Sequence, residues 1–158
     1  MRIMKNNNNI AMVIRYKKLN ELAVPPFKTH AEDFCYDVVA VSEEEIAPNV
    51  WKYGTGLAFD PTIGSLPEHI RTSIDLRPRS SIWKTGMVLS NCIGTIDEDY
   101  RGEVSAVFYH VMPSMPRYRV GDKIGQICLN NTVNLEFELA EELSTTDRGE
   151  GGYGSTGK

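Results

Sequence analysis

The chain has 158 residues, 41% hydrophobic and 24% charged, with a formal net charge of −4. That size and balance fit one globular domain with a real core and exclude a disordered or fibrous chain. The negative charge argues against holding nucleic acid or an anionic membrane through a global field, although a few local Arg and Lys side chains can still grip a phosphate.

Cys35, Cys92 and Cys128 are odd in number and widely spaced, sit in apolar contexts and form no C-x-x-C pair. They read as buried free thiols in a reducing compartment. The N-terminus has no apolar core of signal-peptide length, and no run is long enough to span a bilayer. A cytoplasmic chain without a membrane partner is expected.

Residues 1–9, with four consecutive Asn at Asn6 to Asn9, read as a disordered leader. Residues 10–19 (IAMVIRYKKL) fit an opening strand, and Pro25-Pro26 forces an extended segment after it. Residues 30–40 (HAEDFCYDVVA) run from a polar loop into a β-branched strand, and residues 52–59 (KYGTGLAF) predict another. In residues 60–74, Pro61, Gly64 and Pro67 mark a loop; LPEHIR can hold a helical turn, and strand character returns at Ser73. Further strands are predicted over 87–93, 103–112, 119–129 and 133–139. The last alternates Val133, Leu135, Phe137 and Leu139 against Asn134, Glu136 and Glu138. Short strands with Gly/Pro/Asn/Asp punctuation and no long amphipathic helix point to a β-sandwich or barrel. The domain is expected over 10–143, followed by a Gly/Ser/Thr-rich flexible arm over 144–158.

Residues 91–104 (NCIGTIDEDYRGEV) concentrate chemistry. Asp97, Glu98 and Asp99 are followed by Tyr100 and Arg101-Gly102, between two strand-like runs, which reads as a hairpin turn. Such a turn is either a solvated surface feature or a fixed carboxylate that orients water beside an aromatic ring. The arm is either a solvated tail or a closing segment, its Gly amides, hydroxyls and Arg148 able to cradle phosphate.

Five segments in order resolve these alternatives: CYDVVA (35–40), RPRSSI (77–82), NCIGTIDEDYRGEV (91–104), RVGDKIGQI (119–127) and RGEGGYGSTGK (148–158). Together they resemble the motifs of the homotrimeric all-β dUTPases, over about residues 31–158. The resemblance implies a distorted β-barrel, jelly-roll-like fold with a flexible C-terminal arm. It implies Mg2+-dependent hydrolysis of dUTP to dUMP and pyrophosphate by water attack on the α-phosphorus, in a homotrimer with shared sites. Asp97 matches the acid that positions the water, and Tyr100 the ring against the deoxyribose. Asn91 with Gly94, Thr95 and Ile96 matches the uracil-reading segment, and Ser105 the pocket wall on the next strand. Arg79, Ser80, Ser81 and Gln126 match phosphate contacts, and Asp37 the acid that helps hold Mg2+ through water. In the arm, Arg148 matches a γ-phosphate contact, Tyr153 the ring that stacks on uracil, and Gly154, Ser155 and Thr156 a phosphate cradle. Two other functions fit parts of the pattern: a dCTP deaminase-like enzyme of the same fold, and a non-catalytic regulatory or protein-binding homologue. The chain departs from the family pattern at Phe34-Cys35, where Ala-Gly is usual, at Arg77, and over residues 60–76.

Overall fold

The computed structural model describes residues 4–6, 9–11, 13–62, 66–67 and 69–152. They form the strands β1 Met4–Asn6, β2 Asn9–Ala11, β3 Arg15–Lys18, β4 Tyr36–Val39, β5 Ser42–Ala47, β6 Val50–Gly54, β7 Leu57–Asp60, β8 Ile70–Arg77, β9 Met87–Leu89, β10 Gly94–Asp97, β11 Ser105–His110 and β12 Lys123–Val133. A short 3-10 helix spans Ser80–Lys84. The expected all-β fold is found. Two four-stranded sheets, β10-β8-β12-β4 and β5-β6-β11-β9, are accompanied by the small pairs β3-β7 and β1-β2. The described strands do not close into a barrel, so the architecture is a distorted, jelly-roll-like pair of sheets. No helix among the described residues is long and apolar enough to cross a membrane.

Period-two alternation sorts the side chains of the first sheet. Ile74 and Leu76 on β8 pair with Leu129 and Ile127 on β12 and with Ile96 and Gly94 on β10. Ile74, Leu76 and Ile127 are buried in the core between the sheets, joined by Val38 and Ile124. From the second sheet, Tyr53 and Phe108 are almost fully buried and stack edge-to-face at 5.8 Å, with Tyr118 against both. The opposite face of the first sheet is polar. Arg71, Ser73, Asp75 and Arg77 on β8 stand opposite Thr132, Asn130, Cys128 and Gln126 on β12, and Thr95 and Asp97 continue that face on β10.

The structure differs from the sequence expectations in several places. Residues 52–59 form two strands, because Gly56 turns the chain with φ +66° where an added Cβ would lie 2.8 Å from Asn20 and 2.9 Å from Val41. The acidic segment after Asp97 is not a hairpin: β10 pairs with β8, whereas β11 pairs with β6 and β9 in the other sheet. It is a corner between sheets. The strand expected over 133–139 stops at Val133, the end of β12. Beyond it Leu135, Phe137 and Leu139 are 66%, 93% and 98% exposed, since a strand needs a ladder partner and the described residues offer none there. Within the expected leader, Met4 to Asn6 pair with Asn9 to Ala11. Of the cysteines only Cys128 is buried; Cys35 is half-buried and Cys92 exposed at a turn, with φ +59°.

One carboxylate ties the long loop before β12 to the second sheet. Glu43 on β5 accepts from Arg117 Nη2 and Arg119 Nη1, both at 3.1 Å, and from the Val120 amide at 3.2 Å. The Arg117 guanidinium also lies 3.4 Å over the Trp51 ring. Burial pushes the Glu43 carboxyl up, but the hydrogen bonds from Arg117 and Arg119 outweigh it and hold the group below its ordinary value of 4.5. A lowered folded pKa stabilises the fold above the ordinary value, and that stability is lost as pH falls through the lowered one. Thermal melts between pH 6 and about pH 3 should therefore show a drop on the acid side that is shallower in Glu43→Gln than in the wild type.

Candidate functional site

Residues 91–105 wrap around a pocket of about 220 Å3, lined by Leu76, Asn91, Gly94, Thr95, Ile96, Asp97, Tyr100, Glu103, Val104 and Ser105. All seven residues expected at the base, sugar and catalytic positions are thus brought together. The reason is local. β10 lies antiparallel on β8, with Gly94 opposite Leu76 and Asp97 opposite Ser73, so its backbone edges and alternating side chains are fixed. The following corner returns the chain over the pocket to Ser105 at the start of β11.

Asp97 is exposed and ends β10. Its carbonyl accepts from the Tyr100 amide at 3.1 Å, closing a turn. The Tyr100 hydroxyl donates to the Glu103 carbonyl at 3.2 Å, leaving the ring about half exposed beside the pocket. Glu103 accepts from the Gly56 amide at 2.7 Å through Oε1. Glu98 turns away from the pocket: its Oε2 accepts from the Thr72 amide at 3.1 Å and its Oε1 lies 3.9 Å from Arg71. A wider groove of about 590 Å3 shares Thr95 and Asp97 with the pocket and is flanked by Arg71, Ser73 and Arg101.

A second cluster forms at the far side of the same sheet. Arg79 Nε donates to Asp37 Oδ1 at 3.0 Å, and Lys123 Nζ donates to Asp37 Oδ2 at 2.8 Å and to Thr29 at 3.0 Å. Gln126 Nε2 donates to the Pro78 carbonyl at 3.3 Å. Ser80 and Ser81 open the 3-10 helix directly after Arg79, with Ser80 exposed. Arg79, Ser80, Ser81, Gln126 and Asp37 therefore lie together but apart from Asp97. Gln126 pairs with Arg77 while Asp97 pairs with Ser73. Two strand steps across and four residues along put Gln126 roughly 16 Å from Asp97. Arg148 is exposed in the arm, its Nε donating to the Gly151 carbonyl at 2.8 Å. Tyr153, Gly154, Ser155 and Thr156 lie outside the described residues.

Sequence reasoning left Glu98 as a turn or scaffold residue and gave no role to Lys123, Arg101 or Glu103. Strict alternation sets Lys123 on the face opposite Gln126, three residues on. A register shift between Lys123 and Gly125 swings it onto Asp37 instead. Asp75 is also buried on the polar face; Arg77 donates to it at 3.1 Å and Thr95 at 3.5 Å. That ion pair raises the Arg77 pKa further above its already high ordinary value.

A polar pocket at a sheet corner, with one exposed carboxylate and one ring, is a candidate small-ligand site in a β-fold protein. Comparison with known proteins narrows the class. The dUTPase family model matches residues 21–157. The deoxyuridine 5'-triphosphate nucleotidohydrolase of Nautilia profundicola is 36% identical over 149 residues, covering 93% of this chain and 100% of that protein. In fold, the chain is similar to the Staphylococcus bacteriophage 80alpha dUTPase solved with dUPNHPP, with TM-score 0.74 and 23% identity over 94% of this chain and 100% of that one. It is similar too to a mutant dUTPase from phage phi11 of S. aureus, described for its coordination of a structural Mg(II) ion, with TM-score 0.64 and 20% identity over 85% of this chain and 100% of that one. This chain belongs to the dUTPase family.

Removing the Glu98 carboxylate leaves the amide of buried Thr72 without its acceptor, which costs about 1–3 kcal/mol. Urea denaturation of Glu98→Ala should show that loss.

Proposed function

We propose that the protein is a dUTP diphosphatase, hydrolysing dUTP to dUMP and pyrophosphate and so limiting uracil in DNA while supplying dUMP. The observation that carries this reading is the assembly of Asn91, Gly94, Thr95, Ile96, Asp97, Tyr100 and Ser105 around one pocket in a chain of the dUTPase family. Backbone groups of Gly94 to Ile96, with the Asn91 amide, offer uracil a fixed pattern of donors and acceptors that cytosine, with its 4-amino group, does not match. The Tyr100 ring faces the sugar and leaves no room for a 2′-hydroxyl. Asp97 orients water and takes its proton as the water oxygen bonds to the α-phosphorus. The bond from that phosphorus to the bridging oxygen breaks, and pyrophosphate departs.

Arg79, Ser80, Ser81 and Gln126 bind the phosphates, and Arg148, Tyr153, Gly154, Ser155 and Thr156 close over the nucleotide from the arm (144–158), which follows the domain (10–143). The phosphate-binding residues gather about Asp37 on the far side of the sheet from Asp97, which supports the reading that one chain supplies half a site. With the membership of the dUTPase family, that separation supports a homotrimer with shared sites. The alternating apolar residues Leu135, Phe137 and Leu139, exposed on the single chain, support a further strand completed by another copy.

Mg2+ fits here only as a loosely held partner. Among the described residues no group of three His, Cys, Asp or Glu could hold a metal, and both Asp37 oxygens already accept from cations. Their spare lone pairs can still accept from metal-bound waters. Arg79, Lys123 and Asp37 together carry a local charge of +1, so the metal arrives with the triphosphate. When bound it neutralises the phosphate oxygens and the charge that develops on pyrophosphate. The three free thiols support a reducing, cytoplasmic setting.

Incubation with Mg2+ and dUTP, dCTP, dTTP or UTP in turn should release pyrophosphate from dUTP alone. Ammonia from dCTP, or no turnover, would refute the reading. In the same assay Asp97→Asn should still bind dUTP and turn over about 10^2–10^4-fold more slowly.

A further inference from the structure

We infer that Arg101 is the positioning residue for sugar discrimination: its guanidinium locks the corner from Asp97 to Gly102 so that the Tyr100 ring stands at one fixed place. The inference rests on the dUTP reading and assigns a cause to its selectivity. Arg101 faces away from the pocket, and its head group makes three kinds of contact. Nη1 donates to the carbonyl of Glu98 at 2.6 Å and to that of Tyr100 at 3.1 Å. Nη2 donates to Asp60 Oδ1 at 2.9 Å, with Thr62 Oγ1 at 3.4 Å. The fork therefore ties the turn that carries Asp97 and Tyr100 to the end of β7.

Asp60 is itself held in place. Thr62 donates its amide to Asp60 Oδ1 at 3.2 Å, and Arg15 lies 4.0 Å from Oδ2. These hydrogen bonds from Thr62, with the nearby Arg101 and Arg15, keep the Asp60 carboxyl below its ordinary value. The ring end of Tyr100 is fixed from the other side. Its hydroxyl donates to the Glu103 carbonyl, and the ring lies directly on Gly102. A Cβ at Gly102 would come within 2.3 Å of the Tyr100 hydroxyl oxygen and 2.5 Å of Cζ. The ring is thus set by backbone at one end, by a carbonyl at the other, and by the absence of a side chain beneath it.

This division of labour suits a guanidinium. The Arg101 side chain is 49% exposed, so its ion pair with Asp60 is solvent-screened and adds little to stability. Its planar fork can meet two carbonyls and a carboxylate at once, which a lysine ammonium on a flexible stem cannot. A loosened corner lets the Tyr100 ring drift, and room opens for a 2′-hydroxyl. Misplacing reacting groups by about 1 Å costs on the order of 100-fold in rate, so turnover of dUTP falls while the barrier to UTP falls away.

The test is the ratio of kcat/KM for dUTP to that for UTP, measured alongside Tm on the full chain. In Arg101→Ala and Arg101→Lys the ratio should fall by about tenfold or more, and kcat/KM for dUTP by about 10–100-fold, with little change in Tm. Asp60→Asn should move the ratio the same way, less far. Gly102→Ala should reproduce the loss from the other side of the ring. A ratio held within about twofold of wild type in folded Arg101→Lys and Asp60→Asn would overturn the inference, and these two variants carry the test if Arg101→Ala does not fold. A wild-type protein that turns over no dUTP overturns the diphosphatase reading and this inference with it. Normal wild-type selectivity, retained in the variants, overturns this inference alone.

Discussion

The ladder between β8 and β12 is the interaction on which the remaining structure depends. Eight consecutive residues of β8, Ile70 to Arg77, pair with Val133 to Gln126 of β12. That register turns Ile74, Leu76, Ile127 and Leu129 toward the core and leaves the other face polar. β10 adds to one side of the ladder and β4 to the other. Asp37 with Arg79 and Lys123 sits at one margin of that polar face and Asp97 at the other, beside a pocket that reaches past the β10 edge to Leu76, Gly94 and Ile96 on the core side. A slip of one residue would exchange the faces and scatter both clusters.

Burial on one side and chemistry on the other explains why the site is assembled from fragments distant in sequence. Each fragment is short and gains its position from its ladder neighbour rather than from its own propensity. The corner after Asp97 is the exception, since neither sheet pairs with it. It is held by side chains instead: Glu98 to the Thr72 amide, Arg101 to Asp60 and to two turn carbonyls, and Tyr100 to the Glu103 carbonyl. The residues that flank Asp97 in sequence thus act as its scaffold.

Much of this was legible in the sequence, and the limits have physical causes. Alternation and punctuation were enough for the all-β class and for most strands. The family resemblance gave a role to every residue that now lines the pocket except Leu76, Glu103 and Val104, the last two lying within the motif around Asp97 without a role. Pairing partners were not legible, so the Asp97 corner read as a hairpin although its flanking strands enter different sheets. Lys123 was hidden by a register shift that periodicity cannot reveal. Residues 133–139 carry a clean strand pattern, yet the ladder ends at Val133, because an alternating sequence states a preference and not a partner. The roughly 16 Å between the two clusters likewise depends on register, which local sequence does not encode.

The claim most exposed to test is that a working site draws its halves from different copies of the chain. Asp97→Asn chains and Arg79→Ala chains, each inactive alone, can be unfolded together and refolded as a mixture. Shared sites predict that the mixture recovers dUTP hydrolysis, because some sites combine an intact Asp97 from one copy with an intact Arg79 from another. Recovery should depend on co-refolding and be absent when the two folded proteins are mixed without exchange. A co-refolded mixture of exchanged, folded subunits that stays as inactive as its parents would contradict the account and place both halves of each site within a single chain.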